Sequence, residues 1–133
     1  MSLVLSPNLR RSSNPAQMSI SGSISNGANW VETLTLTDQD GAQITGVGSD
    51  TFALQFRDSP DDTATDLSLT TTTELTVTVG ASTTTLAISA SASAMGALDP
   101  GDYTVDIVSE TSGGVSTHRA HGLVTVFGSP IAI

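Results

Sequence analysis

Apolar and polar residues alternate with period two through most of this chain, most clearly near its C-terminal end. Tyr103, Val105 and Ile107 are interleaved with Thr104 and Asp106, a spacing that sends apolar side chains to one face of a β-strand and polar ones to the other. Glu110-Thr111-Ser112-Gly113-Gly114 then supplies glycines for a reversal, and His118 to Val126 reads as the returning strand. The pattern predicts a hairpin with one buried and one wet face. Upstream, Phe52, Leu54 and Phe56 alternate with Ala53, Gln55 and Arg57 on a core strand. Leu67 and Leu69 mark a short strand, and Leu75, Val77 and Val79 a longer one. Leu86 and Ile88 form the expected partner of the latter across Gly80-Ala81-Ser82. Met18, Ile20 and Ile24, followed by Trp30, Leu34 and Leu36, give two strands joined around the turn-forming pair Asn26-Gly27, and Asp38-Gln39-Asp40-Gly41 marks the next reversal.

Two segments break this rhythm. Ser89 to Leu98 is rich in Ala and Ser, with Met95 and Leu98 three apart, which predicts a short helical turn plugging one end of the fold, ended by Pro100-Gly101. Residues 1–17 hold two prolines, two asparagines and Arg10-Arg11 without sustained alternation, and read as an extended N-terminal arm preceding a β-domain over residues 18–133. The expected fold is all-β: an antiparallel, Ig-like β-sandwich of about seven to eight strands with one short helix.

Composition agrees with that class. Of 133 residues, 19 are Ser and 20 are Thr, Lys is absent and Arg occurs four times. Thr favours pleated strands, and the long charged residues that support exposed helices are scarce. The length suits one domain with a single core. A net charge of −9 argues against nucleic acid, whose phosphates are bound by clustered Lys and Arg, and against anionic membrane surfaces. No apolar run is long enough to span a bilayer, and Met1 to Pro7 lacks the basic start and apolar length of a signal peptide, so synthesis in a cytoplasm is expected. With no Cys, neither disulfides nor thiolate metal sites are available.

The C-terminal hairpin resembles a pattern recurring in small virion structural proteins of tailed bacteriophages and prophages: Gly-x-Tyr-x-Val/Tyr-Asp-Leu/Ile, a glycine-containing turn, then Arg-x-x-Gly-x-Val-Thr-Val. The matching positions are Gly101, Tyr103, Asp106, Ile107, Gly114, Arg119, Gly122, Val124, Thr125 and Val126. Phe52 to Arg57 is similar to the family's inner strand, and the Ala-rich run ending Leu98-Asp99-Pro100-Gly101 extends the match. The resemblance implies an Ig-like sandwich located in a virion and made in a host bacterium. It also implies a multimeric, non-enzymatic role as an adaptor or base for fibres or spikes, with capsid decoration as the alternative and other virion proteins as partners.

Candidate chemistry is sparse. His118 and His121, three apart on a strand, are expected on opposite faces, unable to converge on one metal ion. Asp58, Asp61, Asp62 and Asp66, and Asp38 with Asp40, gather oxygen ligands of the kind calcium takes, but the twelfth position from Asp38 is Ser49, not the Glu of an EF-hand. No metal or cofactor is assigned. No Gly-x-Ser-x-Gly elbow singles out a serine nucleophile, and a hydrolase would need converging Ser, His and Asp in a pocket. A glycan-binding module is the competing class, tested by whether Trp30 is exposed. Partner contacts are expected from Leu3, Val4, Leu5, Arg10 and Arg11 in the arm, and from Phe127, Ile131 and Ile133 at the other end.

Overall fold

The computed structural model describes residues 3–7, 18–38, 41–58, 67–71 and 73–128. Among them are nine strands and one helical turn: β1 (Leu3–Pro7), β2 (Met18–Ser25), β3 (Trp30–Leu36), β4 (Thr51–Arg57), β5 (Leu67–Thr70), β6 (Leu75–Val79), β7 (Thr84–Ala90), α1 (Ala92–Met95), β8 (Gly101–Glu110) and β9 (Ser116–Phe127). They build two sheets, one of six strands in the order β1-β2-β9-β8-β4-β5 and one of three in the order β3-β7-β6. The expected all-β sandwich with a short helix is therefore present. Its pairing is antiparallel except at β2–β9, where Met18 lies beside Ala120 and Ile24 beside Val126 in parallel.

Alternation explains the core. Phe52, Leu54 and Phe56 on β4 and Val105 and Ile107 on β8 are fully buried, and Leu34, Leu36, Leu86 and Ile88 close on them from the smaller sheet. Phe56 sits edge-on between Trp30 and Tyr103, with ring centroids 6.2 and 6.1 Å away, the geometry favoured by aromatic quadrupoles. The Tyr103 hydroxyl donates to the Asp99 carbonyl at 2.7 Å, pinning the corner before β8 in the manner of Ig sandwiches. The α1 turn plugs that end as expected. Ser91 caps it by accepting the Ala94 N–H at 3.1 Å, and Met95 and Leu98 are buried beneath it.

Three expectations need correction. Residues 3–7 are not a free arm: they pair antiparallel with β2, Leu3 is buried in the core and Leu5 packs against it. Three residues of alternation sufficed because β2 offered an open ladder, and Glu32 accepts the Leu3 N–H at 3.2 Å. Residues 8–17 lie outside those described. The two strands expected around Asn26-Gly27 are β2 and β3, and they lie in different sheets. The turn at Asn26-Gly27 carries the chain from one sheet to the other, held by the Asn26 N–H on the Phe127 carbonyl and by its side-chain amide on the Leu98 carbonyl. The outer face of β8 is not wet at its middle, where Thr104 and Asp106 are both buried, although Asp102 and Glu110 at its ends are exposed. Finally, the two histidines share a face. Ile107 pairs with Ala120 but Val108 pairs with His118, leaving Arg119 as an extra residue. This β-bulge shifts the phase of β9, so His118 and His121 stand opposite Val108 and Asp106, both on the outer side.

Candidate functional site on the outer face of the six-stranded sheet

The register places one polar row across five strands of this face: Ser19 on β2, His121 on β9, Asp106 on β8, Gln55 on β4 and Ser68 on β5. Asp106 is its hub. One carboxylate oxygen meets Arg57 Nη1 at 2.8 Å and the other meets His121 Nδ1 at 2.5 Å, while Arg57 Nη2 donates to Gln55 Oε1 at 3.0 Å. The Asp106 side chain is 9% exposed, against 22% for Arg57 and 38% for His121. An ionised carboxylate only accepts, so Nδ1 carries the proton facing Asp106 and Nε2 is left to face away. Arg57 Nε is buried without a partner.

Ser19, His121 and Asp106 thus stand in order on three adjacent strands. Strand N–H groups lie in the plane of a sheet and are used in its ladders, so those of β2, β8 and β9 do not rise above His121 toward a reacting atom, as acyl transfer requires. Arg57 holds the second oxygen of Asp106. The cluster ties β4, β8 and β9 together where an apolar layer is missing.

Alongside this row run two exposed apolar residues. Val4 is 54% and Leu123 66% exposed. Val4 stands opposite Ser21, and Leu123 stands opposite Thr104 on β8. With Ser19, Ser23 and Thr125, they form a field of hydroxyls carrying two aliphatic side chains, bordered by exposed Asp102, which accepts the Thr125 hydroxyl at 2.8 Å.

The other sequence-predicted residues fall as follows. Leu3 is buried within its own chain, Phe127 is half-buried at the end of β9 beside Ser25, and Arg10, Arg11, Ile131 and Ile133 lie outside the described residues. Trp30 is 4% exposed and its indole N–H donates to Glu32 at 2.9 Å, so it offers no open ring. Among the described residues no three of His, Cys, Asp and Glu come together as metal ligands, and Asp61, Asp62 and Asp66 are not among them. Arg119, the bulge residue, donates from Nε to Ser109 Oγ at 2.8 Å. Burial holds its pKa below the ordinary guanidinium value, and Asp50 works in the opposite direction. Sequence alternation alone missed the Asp106 hub, although a charged residue mid-strand, flanked by core positions, was its signal. No protein-family model matches the sequence, and no curated protein matches it.

Proposed function

We propose that this chain is a structural subunit of a tailed-phage virion, an adaptor or base for fibres or spikes that works through protein–protein contacts and carries out no catalysis. The observation behind the reading is what the residues shared with the phage pattern do. Tyr103, Ile107, Val124 and Val126 fill the core, Gly122 allows β2 to approach β9, Arg119 occupies the bulge and Asp106 is the hub of the ion pairs. These seven residues serve the sandwich, so what distinguishes such a subunit is its surface.

The surface suits assembly. Leu123 and Val4 are large apolar groups held in water by a sheet, and the hydroxyl residues beside them cost little to desolvate when hydrogen-bonded across an interface. In a particle many such weak contacts act together. Capsid decoration uses the same chemistry and is the alternative position. Burial of Trp30 removes the ring on which a glycan-stacking reading relied.

The test is purification of particles from the phage or prophage encoding the chain, with peptide mass spectrometry and an image reconstruction. The chain is expected in the particles at symmetric copy number, with the Leu123 face against another subunit, and Leu123→Asp should fold normally yet incorporate poorly. Absence of the chain from purified particles would overturn the proposal.

A further inference from the structure

Among the described residues, the three-stranded sheet ends in β6, whose outer edge has no partner. Two hydrogen bonds bracket the β6–β7 ladder, Ser89 N–H to the Glu74 carbonyl at 2.8 Å and Gly80 N–H to the Thr83 carbonyl at 2.7 Å. Because antiparallel bonding alternates, Thr76 and Thr78 direct their backbone groups toward β7, and Leu75, Val77 and Val79 direct theirs away from it. No described hydrogen bond reaches the backbone of these three residues. Folded proteins usually blunt such an edge with a charge, a proline or a bulge. Leu75-Thr76-Val77-Thr78-Val79 contains none of these. The other edges differ: β1 ends in Pro7, β3 is crossed by β1 through Leu3 and Glu32, and β5 is a four-residue strand.

We infer that β6 is a self-pairing edge, and that a second copy of this chain adds its own β6 antiparallel about a two-fold axis at Val77. The sequence is self-complementary in that arrangement: Leu75 meets Val79 of the second copy, Thr76 meets its Thr78, and Val77 meets Val77. The apolar side chains of both copies then continue the inward face and the threonines the outward one. The unpaired N–H and C=O groups of residues 75, 77 and 79 fall opposite one another, as an isologous contact requires. Charge selects the occupant. The chain carries −9 overall, so copies repel one another at most surfaces. Across β3, β6 and β7 the single charged residue is Glu32, whose carboxylate is engaged by Leu3 and Trp30. The outward positions Val31, Thr33, Thr35, Thr76, Thr78 and Thr85 are neutral. A five-residue edge buries less than a standard interface, so the dimer is weak alone and gains strength in an array. The inference stands on the ladder and does not depend on the virion reading.

The 133-residue sequence contains no cysteine, which makes the test clean. A mixture of Thr76→Cys and Thr78→Cys proteins under mild oxidation should form a disulfide-linked dimer, because these positions face each other in a non-hydrogen-bonded pair. Each variant alone should not, being offset by two residues along the strands. Sedimentation of the unmodified protein should show a concentration-dependent dimer. Val77→Pro, which removes an N–H the ladder does not use, should lower the association constant by at least about tenfold. Should that variant unfold, Thr76→Lys with Thr78→Lys serves instead, and association should return when the pair is Thr76→Lys with Thr78→Glu. A monomer up to about 1 mM, or cross-linking as efficient in the single variants as in the mixture, overturns the inference.

Discussion

Gly122 offers the sharpest test of the architecture, because it sits where β9 meets β2 in the one parallel pairing. A Cβ placed there would lie 1.9 Å from the Ile20 carbonyl oxygen, 2.7 Å from its carbon and 2.8 Å from the Ile20 nitrogen. All three are backbone atoms, which cannot swing aside as a side-chain tip can. To reach van der Waals contact β2 must retreat by more than about 1 Å, which carries ladder bonds beyond the useful N–H···O range of about 2.7–3.2 Å. If the strands adjust together, the cost is that of overpacking, about 1–3 kcal/mol. If β2 yields, Met18, Ile20 and Ile24 lose their burial at about 1.5–3 kcal/mol each, and β1 detaches with them because β2 is its only ladder partner among the described residues.

Gly122→Ala should therefore lose at least about 1 kcal/mol, and about 3 kcal/mol or more if β2 yields, a large part of the 5–15 kcal/mol expected of a domain. Urea melts followed by the fluorescence of Trp30, whose ring packs on Phe56, measure this directly. Gly113→Ala is the control. Its nearest contact would be the Thr111 hydroxyl at 3.7 Å, ordinary packing, and it should change stability by less than about 0.5 kcal/mol. Equal midpoints for Gly122→Ala and the unmodified protein would refute the parallel register of β2 on β9.

Other outcomes follow from the same packing. Ile107→Ala, at a fully buried site between Leu54 and Ala120, should cost about 2–5 kcal/mol in the same melts, and a loss below 1 kcal/mol would reject the facing assigned to β8. Asp106→Ala should cost about 2–3 kcal/mol, between exposed and fully buried ion pairs, and a double-mutant cycle with Arg57→Gln should return a coupling near 1 kcal/mol; additive losses would mean that the Arg57 contact contributes nothing. Removing residues 1–7 should lower stability by about 2–4 kcal/mol through lost Leu3 burial and a bare β2 edge, and unchanged stability would place β1 off the sheet. EDTA should leave the melting temperature within about 1 °C, whereas a calcium-dependent rise would direct attention to Asp58 and its neighbours.

How much of this could be read from residues alone depended on whether the information was local. Strands β4, β6, β7, β8 and β9 were legible because each carries at least two apolar residues in phase and is bounded by glycine or charged turns. The partner of a strand is not written in its own alternation. Met18, Ile20 and Ile24 describe β2 faithfully, yet nothing in them chooses β9 over β3, a choice made by the closeness that Gly122 permits. Counting residues put the histidines on opposite faces, and the single extra residue at Arg119 reversed that. A bulge depends on register between strands and leaves no mark on period two. Likewise Asp106 was assigned to water from its phase, while its burial depends on Arg57 and His121 arriving from β4 and β9.

The two sheets also explain how one small domain can hold more than one neighbour. Val4 and Leu123 stand on the outer face of the six-stranded sheet, and the open edge of β6 belongs to the three-stranded sheet on the other side of the core. Pairing through β6 would extend the smaller sheet sideways and leave the larger face uncovered, so the two contacts do not compete for the same atoms. A copy joined to its twin at β6 would then present two outer faces related by a two-fold axis, each with its own Leu123. Such an object can bridge two subunits, and the binding of both gains from linkage even when each contact is weak. The Asp106 cluster supports this arrangement by holding β4, β8 and β9 rigid beneath the outer face. That rigidity limits the ordering cost of a partner's arrival.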